Sequence, residues 1–189
     1  MLAKRDMAAD GGRGSCVCDV AAPPKFVWDT VLDFEHYEGR LAACKKSTVY
    51  ERKKNVVQRT ENVKVHMVLD AVVKEFNCYY DHTYRPDKSV LTWTLDPTKK
   101  SDFYDVQGQW CVDPHPTKQN WSRVWYSADI ALPPWLPKFV VIKLCKTSGI
   151  KALNFAKDSA EVNFNKQQSG NNNNKRKWAM PQLPATFRH

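Results

Sequence analysis

The stretch PWLPKFVVIKLCKTSGIKALNFAKDSAEV, residues 134–162, decides how the rest of the chain folds. Alternating, aromatic-rich segments precede it and polar low-complexity sequence follows it, so it is the long helix available to cover a sheet. Ile142, Cys145, Gly149, Ala152, Leu153, Ala156 and Ala160 recur at three- and four-residue spacing and form one face, while Lys143, Lys146, Lys151 and Lys157 fall largely elsewhere. That inward face is built mostly of small side chains. Beneath a curved sheet a small face gives either close contact or empty space, and empty space walled by aromatic strands is a hydrophobic ligand cavity.

Working back from the helix, period-two alternation predicts a strand at 122–132, with Val124, Tyr126, Ala128, Ile130 and Leu132 on one side. A strand at 102–112 aligns Tyr104, Val106, Gly108, Trp110 and Val112, and one at 90–95 aligns Leu91, Trp93 and Leu95. The segment 72–84 alternates through Phe76, Cys78, Tyr80, His82 and Tyr84. Further upstream, 46–52 and 56–68 pair across a turn at Lys53-Lys54-Asn55, and the inner face of the return strand carries Val57, Arg59, Glu61, Val63, Val65 and Met67. The first strand, 15–21, places Cys16, Cys18 and Val20 together; Pro23-Pro24 then opens a helix at 25–32, and a second short helix at 33–39 ends on glycine. The expectation is seven antiparallel strands, two short helices after the first of them, and one long terminal helix. Gly108 inside a strand is expected to mark a bend.

The chain of 189 residues is 42% hydrophobic and 12% aromatic, enough for one domain with a sizeable core at 15–162. No apolar run reaches membrane-spanning length. The net charge of +9 is concentrated outside that domain: residues 163–189 carry five basic residues and no acid, and residues 1–14 three basic against two acidic. The body is only mildly basic, so nucleic acid is not an expected partner. Residues 1–14 are expected to be flexible, and the Asn-rich basic tail 163–189 to be disordered. The start lacks the apolar region of a secretory signal, which points to the cytoplasm, with plastid or mitochondrion as alternatives. Six cysteines with no CxxC spacing and no compact Cys/His pairing are expected to be free thiols, with neither metal nor cofactor bound.

The opening AAPPKFVWDTVLDFEHY at 21–37, with GQW at 108–110 and SRVWYSADIALPPWLPKFV at 122–140, resembles the START-like helix-grip superfamily, in its polyketide cyclase/dehydrase and coenzyme Q-binding branch. The resemblance covers roughly 15–162 and implies an α+β fold, a curved sheet wrapped around the long C-terminal helix. It also implies a domain that shields a hydrophobic small molecule such as a lipid, an isoprenoid quinone or a polyketide-like compound. Some members are carriers and a few are aromatase/cyclases, so no catalytic residue carries over. Pro23, Val27, Trp28, Asp33, Phe34, Tyr37, Gly108 and Trp110 carry over as determinants of the fold.

Candidate ligand-binding residues follow from the inward faces. Trp93, Tyr104, Trp110, Tyr126, Cys145, Gly149 and Ala152 are expected to line the cavity, with Gly149 supplying space. Arg59 and Glu61 share a face with apolar residues, so they either form an inward pair that orients a polar head group or lie in water at the open end of the sheet. Tyr80 and His82 offer a hydroxyl and an imidazole, which could serve a cyclisation or dehydration as well as binding. The basic end, Lys175-Arg176-Lys177-Trp178, suits transient contact with an anionic membrane surface.

Overall fold

Strand β1 (Gly11–Val20) leads into helix α1 (Pro24–Val31) and a single 3-10 turn at Phe34–His36. Six strands follow, β2 (Cys44–Asn55), β3 (Thr60–Ala71), β4 (Lys74–Arg85), β5 (Val90–Leu95), β6 (Asp105–Pro114) and β7 (Ser122–Ala131), and then helix α2 (Lys138–Trp178). This computed structural model describes residues 11–71, 74–132, 134–136 and 138–178, with side chains described except at 11, 71, 138, 140–146 and 171–178. None of the described helices is long and apolar enough to cross a membrane.

The strands form one sheet of seven in the order β1-β7-β6-β5-β4-β3-β2, every neighbouring pair antiparallel. Alternation puts Val63, Val65 and Met67 of β3, Phe76, Cys78, Tyr80 and His82 of β4, and Leu91 and Trp93 of β5 in the interior. Val106, Trp110 and Val112 of β6 and Val124 and Ala128 of β7 complete that face. Strand β2 is an edge. It carries Lys45, Lys46, Lys53 and Lys54 and two register irregularities, both of which discourage pairing with another chain.

Helix α2 packs against β1, β7 and α1. Ala152, Leu153, Ala156 and Ala160 are buried in that contact, joined by Phe155, and Phe164 packs edge-on to Phe26 of α1 with ring centroids 5.1 Å apart. Glu161 accepts a 2.8 Å hydrogen bond from the Ala21 amide, tying the helix to the end of β1. The helix therefore lies over the β1–β7 side of the sheet, and the strands beyond curve away from it.

Four expectations need correcting. Strand β2 runs on to Asn55, whose side chain accepts the Gln58 amide at 2.9 Å and so places the turn at 56–59, not 53–55. Glycine-rich residues 11–14, expected to be flexible, are held in β1 by pairing with Ala128–Ala131 of β7. Helix α2 extends to Trp178, well past residue 163, because a helix already anchored by packing propagates without a new nucleation cost. Gly108 does not mark a simple bend: an added Cβ would lie 2.2 Å from Trp93 Cζ2 and 2.7 Å from the Ser127 carbonyl oxygen, so the glycine makes room for an indole. The remaining terminal expectations, for residues 1–10 and 179–189, lie outside the described residues.

Candidate ligand cavity

Where the sheet parts from α2 there is a cavity of about 210 Å³. Its floor is an arc of rings on consecutive strands, Tyr80 and His82 from β4, Trp93 from β5, Trp110 from β6 and Tyr126 from β7. The rings touch in sequence, with centroids 6.0 Å apart for Tyr80–His82, 6.3 Å for His82–Trp93, 5.5 Å for Trp93–Tyr126 and 4.7 Å for Trp110–Tyr126. Antiparallel pairing produces this arc directly, since Trp93 stands opposite His82 on one side and Gly108 on the other, and Trp110 opposite Tyr126. The absent side chain at Gly108 lets the Trp93 indole lie down across β6.

The roof comes from two places. Phe34 and Tyr37, in and after the 3-10 turn, reach over the floor, with Phe34 4.4 Å from His82 and Tyr37 5.2 Å from Phe155 of α2. Tyr37 is pinned by donating its hydroxyl to the Val31 carbonyl. Thr147, Ser148, Lys151 and Ala152 of α2 close the other side. Exposed Ala42, Ala43, Asp70 and Lys151 are also part of the lining, and they mark the mouth. The loop at this mouth is held rather than free: the Asp70 amide donates to the Ala43 carbonyl at 2.7 Å, and Ala43 adopts φ of 70°.

Electrostatics inside are muted. The imidazole of His82 is buried, its Nδ1 lies 3.3 Å from the Val63 carbonyl, and burial pushes its pKa down to about 3, so it is neutral. Because a carbonyl only accepts, Nδ1 carries the proton and Nε2 carries the lone pair. Burial raises the hydroxyls of Tyr80 and Tyr126 above the usual phenol range, so both stay protonated. The lining acid, Asp70, stands at the mouth and pairs with Lys45 at 3.3 Å. Among the described residues no group of three His, Cys, Asp or Glu side chains could hold a metal ion, and Cys16, Cys18, Cys44, Cys78 and Cys111 are free thiols.

Of the residues singled out from sequence, Tyr80, His82, Trp93, Trp110, Tyr126 and Ala152 line this cavity. Arg59 does not: it sits exposed in the β2–β3 turn with φ of 49°. Glu61, next to that turn, pairs with Arg52 at 2.7 Å and Lys54 at 3.8 Å, so its charge is answered by cations at the sheet's far end and not by a ligand. Tyr104 is 67% exposed, because regular pairing of β6 starts only at Asp105 and the alternation does not extend back through the bend. Gly149 supplies contact and not space, since a Cβ there would lie 3.0 Å from Cys16 Sγ and 3.3 Å from Tyr126 Cδ1. The side chain of Cys145 lies outside the described residues. Sequence reading had Phe34 and Tyr37 only as fold determinants, and it missed Phe155, which stands one turn from Ala152 on the flank of the small face.

Comparison with known proteins places this geometry. Searching curated proteins by sequence gives no match. Among solved structures, a protein from Thermus thermophilus superposes with a TM-score of 0.67 at 17% identity, over 80% of this chain and 98% of that one. The Zhui aromatase/cyclase from Streptomyces sp. R1128 gives 0.65 at 15% identity, over 80% and 94%. A START superfamily protein from Mycobacterium smegmatis gives 0.60 at 15%, over 82% and 98%. Identities this low make the likeness one of fold. The sequence profile of the family described as polyketide cyclase / dehydrase and lipid transport matches residues 20–148. That match spans more than half of the chain, and the seven-stranded sheet gripping α2 is the fold those structures share, so the chain belongs to the polyketide cyclase/dehydrase and lipid transport family, with a START-like helix-grip fold.

Proposed function

We propose that this protein binds and carries a hydrophobic small molecule, a lipid, an isoprenoid quinone or a polyketide-like compound, in the cavity under α2. The observation that carries this reading is the wall itself, a continuous arc of aromatic rings with a mouth edged by exposed Ala42, Ala43, Asp70 and Lys151. Burying apolar ligand surface against such a wall contributes about 25 cal/mol per Å². A few polar atoms then set orientation. The basic end of α2 supports transient contact with an anionic membrane during loading, through Lys175, Arg176, Lys177 and Trp178.

The second reading is a cyclase or dehydratase acting in the same cavity, which the aromatase/cyclase among the structural relatives and the presence of His82 in the wall both favour. Proton transfer at neutral pH works best with a group titrating near 7. His82 is held far below that and the cavity tyrosines above it, which supports the carrier reading over the enzymatic one.

The test combines native mass spectrometry of protein from its own source with titration of a short-chain isoprenoid quinone, read by quenching of the cavity tryptophans. Bound lipid or quinone is expected, with saturable quenching that Ala152→Phe abolishes in a folded protein. Equal binding by wild type and Ala152→Phe would place the ligand elsewhere. Turnover of a poly-β-keto thioester, lost in His82→Ala and unchanged in Arg59→Ala, would establish the enzyme instead.

A further inference from the structure

The deep wall of the cavity contains polar atoms whose partners can be accounted for. Tyr37 donates to the Val31 carbonyl. His82 spends Nδ1 on the Val63 carbonyl, and Nε2 has no protein partner among the described residues. The other deep polar side-chain groups among the described residues, the indole N–H of Trp93 and of Trp110 and the hydroxyls of Tyr80 and Tyr126, can donate. Nε2 can only accept. It is set among the rings of Phe34, Tyr80 and Trp93, with centroids 4.4, 6.0 and 6.3 Å away, and among the described residues no cationic side chain lines the cavity more deeply than the exposed Lys151 at the mouth.

We infer that the cavity takes a neutral ligand carrying a hydroxyl group at its buried end, and that this hydroxyl donates to Nε2 of His82. The inference rests on the carrier reading and adds to it the chemical class of the ligand's inner end. A carboxylate or phosphate in that position would meet an acceptor lone pair and, among the described residues, no counter-ion, and burying an unpaired charge is unfavourable. An acidic group, where a ligand has one, belongs at the mouth beside Lys151. A ligand with only ether or hydrocarbon at its inner end would bury Nε2 unsatisfied, which is also unfavourable. The neutrality of the ring, held by burial, keeps this preference constant through the physiological pH range.

Three probes of one shape separate the possibilities: 2-naphthol, 2-methoxynaphthalene and 2-naphthoate, titrated into the full chain at neutral pH by calorimetry. The wild type is expected to bind 2-naphthol about fivefold or more tightly than 2-methoxynaphthalene, the worth of one buried hydrogen bond, with 2-naphthoate weakest. In His82→Phe the ratio of the first two should fall to about one. Independently of any variant, the Nε2 resonance in 15N spectra of the wild type should move upfield with 2-naphthol and stay in place with 2-methoxynaphthalene. If both neutral probes bind and the ether binds as well as the naphthol, the hydroxyl assignment is wrong while the cavity reading stands. If no probe binds at all, the cavity reading fails and takes the assignment with it.

Discussion

Replacing Gly108 by alanine would force a methyl group against the Trp93 ring at 2.2 Å and the Ser127 carbonyl oxygen at 2.7 Å. Something must shift, and the indole is the movable partner. The variant should lose about 2 kcal/mol in urea denaturation, and the loss should shrink in a Trp93→Leu background where the ring is gone. His82 offers a second residue-level test. Its folded pKa of about 3 lies below the ordinary value of 6.5, so on acidification the unfolded chain takes up the proton first. The stability tied to this neutral ring is therefore full above about pH 6.5 and is lost progressively as the pH falls toward 3. Denaturation midpoints should drop between pH 6.5 and 4.5 more steeply in the wild type than in His82→Phe. Only the lowest part of that window reaches the range, from about pH 5 downward, in which Asp19 and Asp96 start to lose their contribution as the unfolded carboxyls protonate, and both proteins share that loss. Hydrogen bonds from Arg123 and His115 hold Asp19 below the usual carboxylate range, and those from Tyr50, Thr98 and Lys64 do the same for Asp96 against the opposing effect of its burial.

Among the elements, α2 was legible in outline and misleading in detail. Its three- and four-residue spacing identified the face that packs, and Ala152, Leu153, Ala156 and Ala160 are indeed buried. Spacing does not say whether a small residue faces a partner or a void, and at Gly149 the partner is present, Cys16 and Tyr126. Gly149→Phe should therefore cost about 1–3 kcal/mol by prising α2 off β1 and β7, where a glycine facing empty space would have accepted the ring without loss. Alternation read the strands correctly as long as pairing lasted. It gave His82 and Trp93, and it failed at Tyr104 and Arg59, where pairing gives way to a bend and a turn that a period of two cannot register. The mouth loop around Ala42 and Ala43 has no period and left no signal. Beyond Phe164 the helix leaves the body, with residues 165–170 exposed, and the segment to Trp178 extends roughly 20 Å further at the helical rise. Deleting 165–189 should leave the melting temperature within a few degrees of wild type and abolish co-sedimentation with anionic vesicles.

For the whole molecule, the division of labour runs across the sheet. On one side, α2 lies close against β1 and β7 through small residues. On the other, β4 to β6 curve away from the helix, and Phe34, Tyr37 and Phe155 roof the gap without filling it. A hollow of about 210 Å³ bordered by so much aromatic surface forgoes packing, and a bound ligand restores it. Binding and folding are then linked: a ligand held only by the native state stabilises it by RT ln(1 + [L]/Kd), about 2.7 kcal/mol when the free ligand is at 100 times Kd. A saturating short-chain quinone should accordingly raise the melting temperature of the wild type by several degrees, with a rise that tracks the logarithm of concentration. Ala152→Phe projects a ring into the same space, so it should lose that response. If the ring fits, the ligand-free variant should also melt at or above the wild type, because the filled void then carries the packing that the ligand would supply. A variant that still gains several degrees from the quinone would show that the stabilising ligand sits outside the arc of Tyr80, His82, Trp93, Trp110 and Tyr126.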